Sequence, residues 1–375
     1  MNEQISNFLS ERIEAKDFPS AVYLVAQKGE IVYQDALGLA VVDPERIEAH
    51  VDTIYDVASL TKPLVTSLMI ARLVESGKLG PNEPIGNILN EFYSSGNAEI
   101  TVNQLMMHTS GLPDWKPFYL LVNSPDEIPA EIANTLLSSD QRAVTYSDLN
   151  FLTLGFIIEQ ITGMDLDELV KTVFSTLGLT STHFSPSDDL RDRIAACEKG
   201  NEYEKQTCLD MGYLSEDAVI TDVDPTPFRQ RIIWGEVHDG NAYFMGGAAG
   251  HAGLFSTAKE VFQIALQFLP NYTTLLKSET CELFRTNFTN GFNEDRSFGF
   301  QLASTEGSTA GLRMSPESFG HNGFTGTSLW IDPVKERIFV LLTNRTHNHS
   351  LPFVNINSVR RRFHDFAIEV LDQNK

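Results

Sequence analysis

Basic residues are scarce in this chain: 28 lysines and arginines stand against 50 aspartates and glutamates in 375 residues, a formal net charge of -22. Phosphate backbones are held by basic faces, so this shortage argues against a nucleic-acid partner. The largest basic cluster, Arg360-Arg361-Arg362, reads as a solvated helix face. Cysteine is nearly absent too. Cys197, Cys208 and Cys281 cannot all pair within one chain and no Cys-x-x-Cys occurs, so reduced structural thiols are expected. No apolar run is long enough to cross a bilayer, because Arg72 interrupts the best one, and no basic segment followed by an apolar one opens the chain. The expectation is a cytoplasmic protein with no membrane partner, unless an export signal has been removed.

Several enzyme signatures are also missing. Without Gly-x-Ser-x-Gly, the α/β-hydrolase route to esterase activity is disfavoured. Without His-Glu-x-x-His or a comparable spacing, His238, Asp239 and His251 read as structural, and no metal or other cofactor is implied. The glycines of 246–250 lack both Gly-x-Gly-x-x-Gly and a Gly-Lys-Ser/Thr ending, so they read as a turn feeding a strand.

What is present suffices for a substantial core, since 42% of residues are hydrophobic and 10% aromatic. Ile5, Phe8, Leu9 and Ile13 recur at helical spacing in an amphipathic opening segment. Ala21 to Ala26 and Ile31 to Ala36, separated by Lys28-Gly29, predict a hairpin. Leu64, Leu68, Leu73 and Val74 predict a helix stopped by Gly77, and Pro63 requires that helix to start close to Ser59. Further helices are expected over 101–108, 127–138, 148–161 and 165–177, followed by a polar surface excursion over 185–233. Strands return at 298–302, 326–331 and 337–344, and a last helix covers about 354–372. The layout predicts an α+β fold, an antiparallel sheet flanked by helices, formed by 1–75 and 235–375, with a mostly helical domain inserted at 76–234.

Three separated stretches carry chemistry. In Ser59-Leu60-Thr61-Lys62 a hydroxyl and an amine lie one helical turn apart, within reach of a hydrogen bond. Serine becomes a good nucleophile only when a neighbouring base takes its proton. A surface lysine on a capped helix explains the same four residues. Tyr146-Ser147-Asp148 precedes a well-formed helix that Ser147 or Asp148 would cap. His321-Asn322-Gly323-Phe324-Thr325-Gly326 is expected just before a strand, where its glycines let backbone approach a ligand closely.

Taken together, these stretches resemble the motif set of the serine β-lactamase and penicillin-binding protein superfamily: Ser-x-x-Lys, a Tyr- or Ser-led second motif, and Lys-Thr-Gly on an edge strand. Leu105 to Pro113 resembles the family's His-Thr-Ser-Gly-Leu block, and Gly250 to Thr257 and Leu329 to Pro333 look like further family segments. The Tyr-led second motif and the lack of a counterpart to the class A deacylating Glu place the resemblance nearer the class C and esterase branch. It implies an acyl-enzyme on Ser59, proton transfer through Lys62 and Tyr146, an oxyanion hole from the N–H groups of Ser59 and Phe324, and substrate contacts at Asp148, His321, Asn322 and Gly323.

Two departures bear on substrate. Asp148 stands where the family usually has Asn, and a carboxylate near Lys62 favours its ammonium form. His321-Asn322 stands where β-lactamases have Lys-Thr, which replaces a permanent cation by a largely neutral side chain. Neutral or amine-bearing small esters and amides are therefore expected ahead of β-lactams and D-amino-acid peptides. A penicillin-binding or scaffold protein that has lost turnover is the alternative of another class. Nothing in the sequence sets an oligomeric state.

Overall fold

The computed structural model describes residues 1–138, 143–215 and 228–373. The predicted hairpin forms from β1 (Ser20–Gln27) and β2 (Glu30–Val41), turning at Lys28-Gly29. The other strands are β3 (Ile47–Glu48), β4 (Tyr55–Asp56), β5 (Phe255–Ser256), β6 (Gln301–Leu302), β7 (Phe319–Asn322), β8 (Ser328–Asp332) and β9 (Arg337–Thr343). Seven strands make one antiparallel sheet in the order β3-β2-β1-β9-β8-β7-β6, so the two ends of the chain meet at β1 and β9. The pair β4 and β5 stands apart.

Both faces of this sheet are covered, which is why β1 and β9 read as continuous apolar runs. Ala21, Tyr23 and Val25 face a core built with the helices Glu3–Glu14 and Asn357–Gln373, where Phe8 meets Phe366 and Tyr23 meets Phe363. Val22, Leu24 and Ala26 face the larger core, shared with Leu64, Leu68 and the helix Asp148–Thr162. The helix stop expected at Gly77 falls there, and Gly163 ends the helix Asp148–Thr162 in the same way, both with positive φ. Among the described residues no helix is long and apolar enough to cross a membrane, and all three cysteines are free and buried.

Five expectations need correction. The helix expected over 127–138 covers only Ile128–Ala133. The strand at 298–302 shrinks to Gln301–Leu302, because Gly299 takes φ 84° and Phe298 and Phe300 turn into an aromatic cluster with Phe268, Phe284 and Phe319. The stretch 321–326 does come before a strand, β8, but that strand starts at Ser328. His321 and Asn322 end an unanticipated strand, β7, with residues 323–327 forming the turn between the two. The excursion at 185–233 contains the helix Glu202–Asp210, while 216–227 lies outside the described residues. Finally, the arginine run is not a solvated face: Arg360 is buried and only Arg362 is exposed.

Close backbone packing draws the chemistry-bearing segments together. Gly155, inside the helix Asp148–Thr162, lies against Gly250, whose carbonyl accepts a 2.6 Å hydrogen bond from Thr66 Oγ1. A Cβ on Gly250 would collide with the Phe151 carbonyl and lie 3.0 Å from Gly155 Cα. Gly250→Ala is therefore expected to destabilise the protein by about 1–3 kcal/mol, as overpacking does. Urea unfolding should show a lower midpoint with unchanged slope, and an unshifted midpoint would refute this packing argument.

Candidate active site

Ser59 follows a strained residue. Ala58 adopts φ 49°, left-handed for a non-glycine, and its N–H is held by Asp56 Oδ1 at 2.8 Å. Asp56 Oδ2 accepts the His238 N–H at 2.8 Å, so this buried carboxylate, its pKa pushed up by burial, fastens two loops. After the turn the chain is helical but changes pitch, from a 3₁₀ turn at Ala58–Leu60 through a π-helix at Lys62–Ser67 to the α-helix Leu68–Glu75. Pro63 sits in the first turn, as its chemistry demands.

Lys62 is fully buried, and its ammonium donates to Ser59 Oγ at 3.0 Å and to the His251 carbonyl at 3.0 Å. Asp148 Oδ1 lies 2.7 Å from the same nitrogen. Burial alone would lower the lysine's pKa, but Asp148 and Tyr146 outweigh it and the net direction is upward. The Tyr146 ring centroid lies 5.0 Å from the Lys62 ammonium, which puts the phenol in electrostatic range of Lys62 and Ser59. Burial raises its pKa, Lys62 opposes the rise and Asp148 adds to it, so the resting site holds an ammonium and a phenol. A hydroxyl between these two groups has both a route for its proton and a cation beside its oxygen.

Tyr146 is fixed from behind. His108 Nδ1 accepts the Ser147 N–H at 2.9 Å, and its ring packs 4.7 Å from Tyr146 and 5.1 Å from Phe151. Ser147 occupies the N-cap position without capping, because its hydroxyl donates to the Pro113 carbonyl at 2.6 Å.

The third segment faces Ser59 from β7. His321 Nδ1–H donates to the Asn322 carbonyl at 2.9 Å, leaving Nε2 as a lone-pair acceptor with no partner among the described residues. Burial, then the charges of Lys62 and Arg296, hold the ring's pKa well below its ordinary value, so it is neutral. Asn322 Oδ1 accepts from Thr309 Oγ1 at 3.0 Å. Gly323 is required by a close approach within the protein: a Cβ there would strike Thr327 Oγ1 and lie 2.5 Å from the Val57 carbonyl. Among the described residues the Phe324 N–H has no acceptor.

Ser59, Tyr146, Asp148, His321, Asn322 and Gly323 all line one cavity of about 690 Å³, and Phe324 does so too. Lys62 lies beneath its wall. Sequence reasoning missed six charged residues that also line it: Asp114, Glu204, Asp239, Arg296, Arg345 and Arg360. Burial and the nearby Asp239 push Glu204 up to about 7. Asp148, Asp239 and His251 bring donor atoms within 4.8 Å of one another. That cluster does not suit a metal in this arrangement, since Lys62 occupies Asp148 and the His251 Nε2–H donates to Asp239 at 2.9 Å.

Comparisons with known proteins point one way. The family profile "Beta-lactamase" matches residues 5–360. A protein of Escherichia coli (strain K12) named "Putative D-alanyl-D-alanine carboxypeptidase" is 29% identical over 385 residues, covering 92% of this chain and 82% of the relative. The solved structure of EstCE1, described as a hydrolase with promiscuous acyltransferase activity, superposes with TM-score 0.73 at 20% identity, covering 96% of this chain and 97% of that one. A class C β-lactamase from Rhodobacter sphaeroides superposes with TM-score 0.71 at 17% identity over 99% of both chains. These structures share the β-lactamase/transpeptidase fold, the expected α+β arrangement.

The Asp148 carboxylate raises the pKa of both Lys62 and Tyr146. Asp148→Asn removes that push, so the deprotonated form of either group becomes commoner at a given pH. The acidic limb of kcat/KM should move to lower pH, raising the rate at pH 7 by up to about tenfold for each unit moved. A pH–rate profile that does not move, or moves upward, would rule this coupling out.

Proposed function

Because this chain belongs to the Beta-lactamase family of serine hydrolases, we propose that it cleaves small carboxylic esters or amides through an acyl-enzyme on Ser59. The observation that carries this reading is the 3.0 Å contact between Ser59 Oγ and the buried Lys62 ammonium, with the Tyr146 ring centroid 5.0 Å from that ammonium. Ser59 Oγ attacks the carbonyl carbon while its proton passes through Tyr146 and Lys62 to the leaving oxygen or nitrogen, and the scissile bond breaks. Water then gives a proton to the same groups, attacks the acyl carbon and releases the acid, restoring Ser59. The oxyanion is held by the N–H groups of Ser59 and Phe324, and removing one such donor commonly costs about 3–4 kcal/mol. Since Lys62 and Tyr146 rest in their protonated forms, the reactive ionisation is a minor one and the rate rises with pH.

Substrate preference follows from charge. The neutral His321 presents a lone pair, and Asp114, Asp148, Glu204 and Asp239 line the cavity, which favours a neutral or amine-bearing substrate. A second reading, a peptidase acting on D-amino-acid peptides, draws on the name of the Escherichia coli relative and on Arg296, Arg345 and Arg360, which line the same cavity and favour a carboxylate. β-Lactam hydrolysis is the third. A scaffold that has lost turnover is the reading of another class.

A fluorophosphonate probe should label the wild type stoichiometrically, and Ser59→Ala should abolish labelling and lower turnover by at least about 10³-fold. With p-nitrophenyl butyrate, nitrocefin and D-alanyl-D-alanine peptides compared side by side, the ester should turn over fastest. Faster nitrocefin or peptide turnover would reject the charge argument; absence of labelling would reject the enzyme.

A further inference from the structure

Arg360 is placed at a steep energetic disadvantage. It lies in the first turn of the helix Asn357–Gln373, where the helix dipole disfavours a cation, and it is buried. Among the described residues no carboxylate pairs with it, and its Nε has no partner. Burial, with the charge of Arg345 added, pulls its pKa down to about 9, so it remains a guanidinium at neutral pH. A buried cation without a counter-ion needs compensation from what it does bond.

What it bonds is the turn between β7 and β8. Arg360 Nη2 donates to the Gly323 carbonyl at 2.7 Å and to the Thr327 carbonyl at 3.0 Å, while Nη1 donates to Asn357 Oδ1 at 2.8 Å. Gly323 N–H itself donates to Thr327 O at 2.9 Å, so one nitrogen clamps both ends of the turn. The Gly323 carbonyl and the Phe324 N–H belong to one peptide group. A charge-assisted hydrogen bond to that oxygen polarises the amide and makes its N–H a stronger donor. The next peptide is held likewise, by Arg345 Nε on the Phe324 carbonyl at 2.7 Å.

We propose that Arg360 is a positioning residue for acyl transfer, holding and polarising the Gly323–Phe324 peptide so that the Phe324 N–H is a fixed oxyanion donor. The role rests on Ser59 being the nucleophile, and it goes beyond that reading by assigning the oxyanion hole's strength to a helix outside the three motifs. It differs from a carboxylate subsite, which would discriminate among ligands by charge.

The test compares Arg360→Lys and Arg360→Met with wild type on three readouts: the rate of Ser59 phosphonylation by a fluorophosphonate, the affinities of phenylboronic and 3-carboxyphenylboronic acids, and kcat and KM for p-nitrophenyl butyrate. Arg360→Met should lower phosphonylation and kcat by about 10- to 100-fold, less than the ~10²–10³ for losing a whole donor, with KM changed less than about twofold. Both boronic acids, which become tetrahedral on Ser59, should weaken by a similar factor. Arg360→Lys keeps the charge and should lose about 3- to 10-fold, so it carries the test if the methionine variant does not fold. Rates within twofold of wild type in a folded variant, or weakening confined to the carboxylated boronic acid, overturn the proposal. A wild-type turnover and labelling that survive Ser59→Ala overturn the nucleophile reading and this role with it; dependence on Ser59 with an indifferent Arg360 overturns this role alone.

Discussion

A lysine ammonium taken fully out of water must be surrounded by acceptors, and the site is organised by that requirement at Lys62. Desolvating such an ion costs several kcal/mol even after relaxation, so each contact on it is also a constraint on the chain that supplies the contact. Ser59 comes from the same helical segment, Asp148 from the start of another helix, and the His251 carbonyl from the loop that packs Gly250 against Gly155. The glycine contact thus matters for electrostatics as well as packing. A side chain at Gly250 would push the helix bearing Asp148 away from the loop bearing His251, and the buried charge would lose acceptors.

Burial around this ion sorts the histidines as well. His108 and His321 lie near the cations Lys62 and Arg296, and burial with those charges holds both rings neutral. A neutral His108 can accept the Ser147 N–H and stack beneath Tyr146 without adding a second cation beside the ammonium. His238 lies among Glu198, Glu204 and Asp56, and its pKa goes up: burial opposes charge, and the carboxylates outweigh it. The groups packed around each imidazole set the direction: cations beside His108 and His321, carboxylates beside His238.

The sheet hairpin, the Gly-stopped helices and the three motif stretches were legible in the sequence because each depends on local spacing. Pro63 even located the start of the helix bearing Lys62. Strand β7 was not anticipated and the start of β8 was set at 326 instead of Ser328, since a two-sided buried sheet shows no alternation to mark strand ends. Arg360 was misread for a different reason. Its charge suggests a surface, yet it shares a helical stripe with His364, Ile368 and Leu371, all buried, and that spacing was the available signal. The charged cavity wall left no such trace, because Glu204, Asp239, Arg296 and Arg345 come from four separate elements and meet only in three dimensions.

The turn 323–327 also explains how two amides more than 260 positions apart in the chain keep a fixed separation. Thr325 Oγ1 donates to the Asp56 carbonyl at 2.8 Å and Thr327 Oγ1 to the Val57 carbonyl at 2.9 Å. Both acceptors lie just before the strained Ala58, whose own N–H is held by the Asp56 carboxylate. The turn carrying Phe324 is therefore bonded directly to the turn carrying Ser59, through two hydroxyls rather than through the sheet. Gly323 makes this contact sterically possible, since a Cβ would occupy the space between its backbone and the Val57 carbonyl. Two turns tied in this way hold their amides at the constant spacing that the proposed oxyanion hole requires.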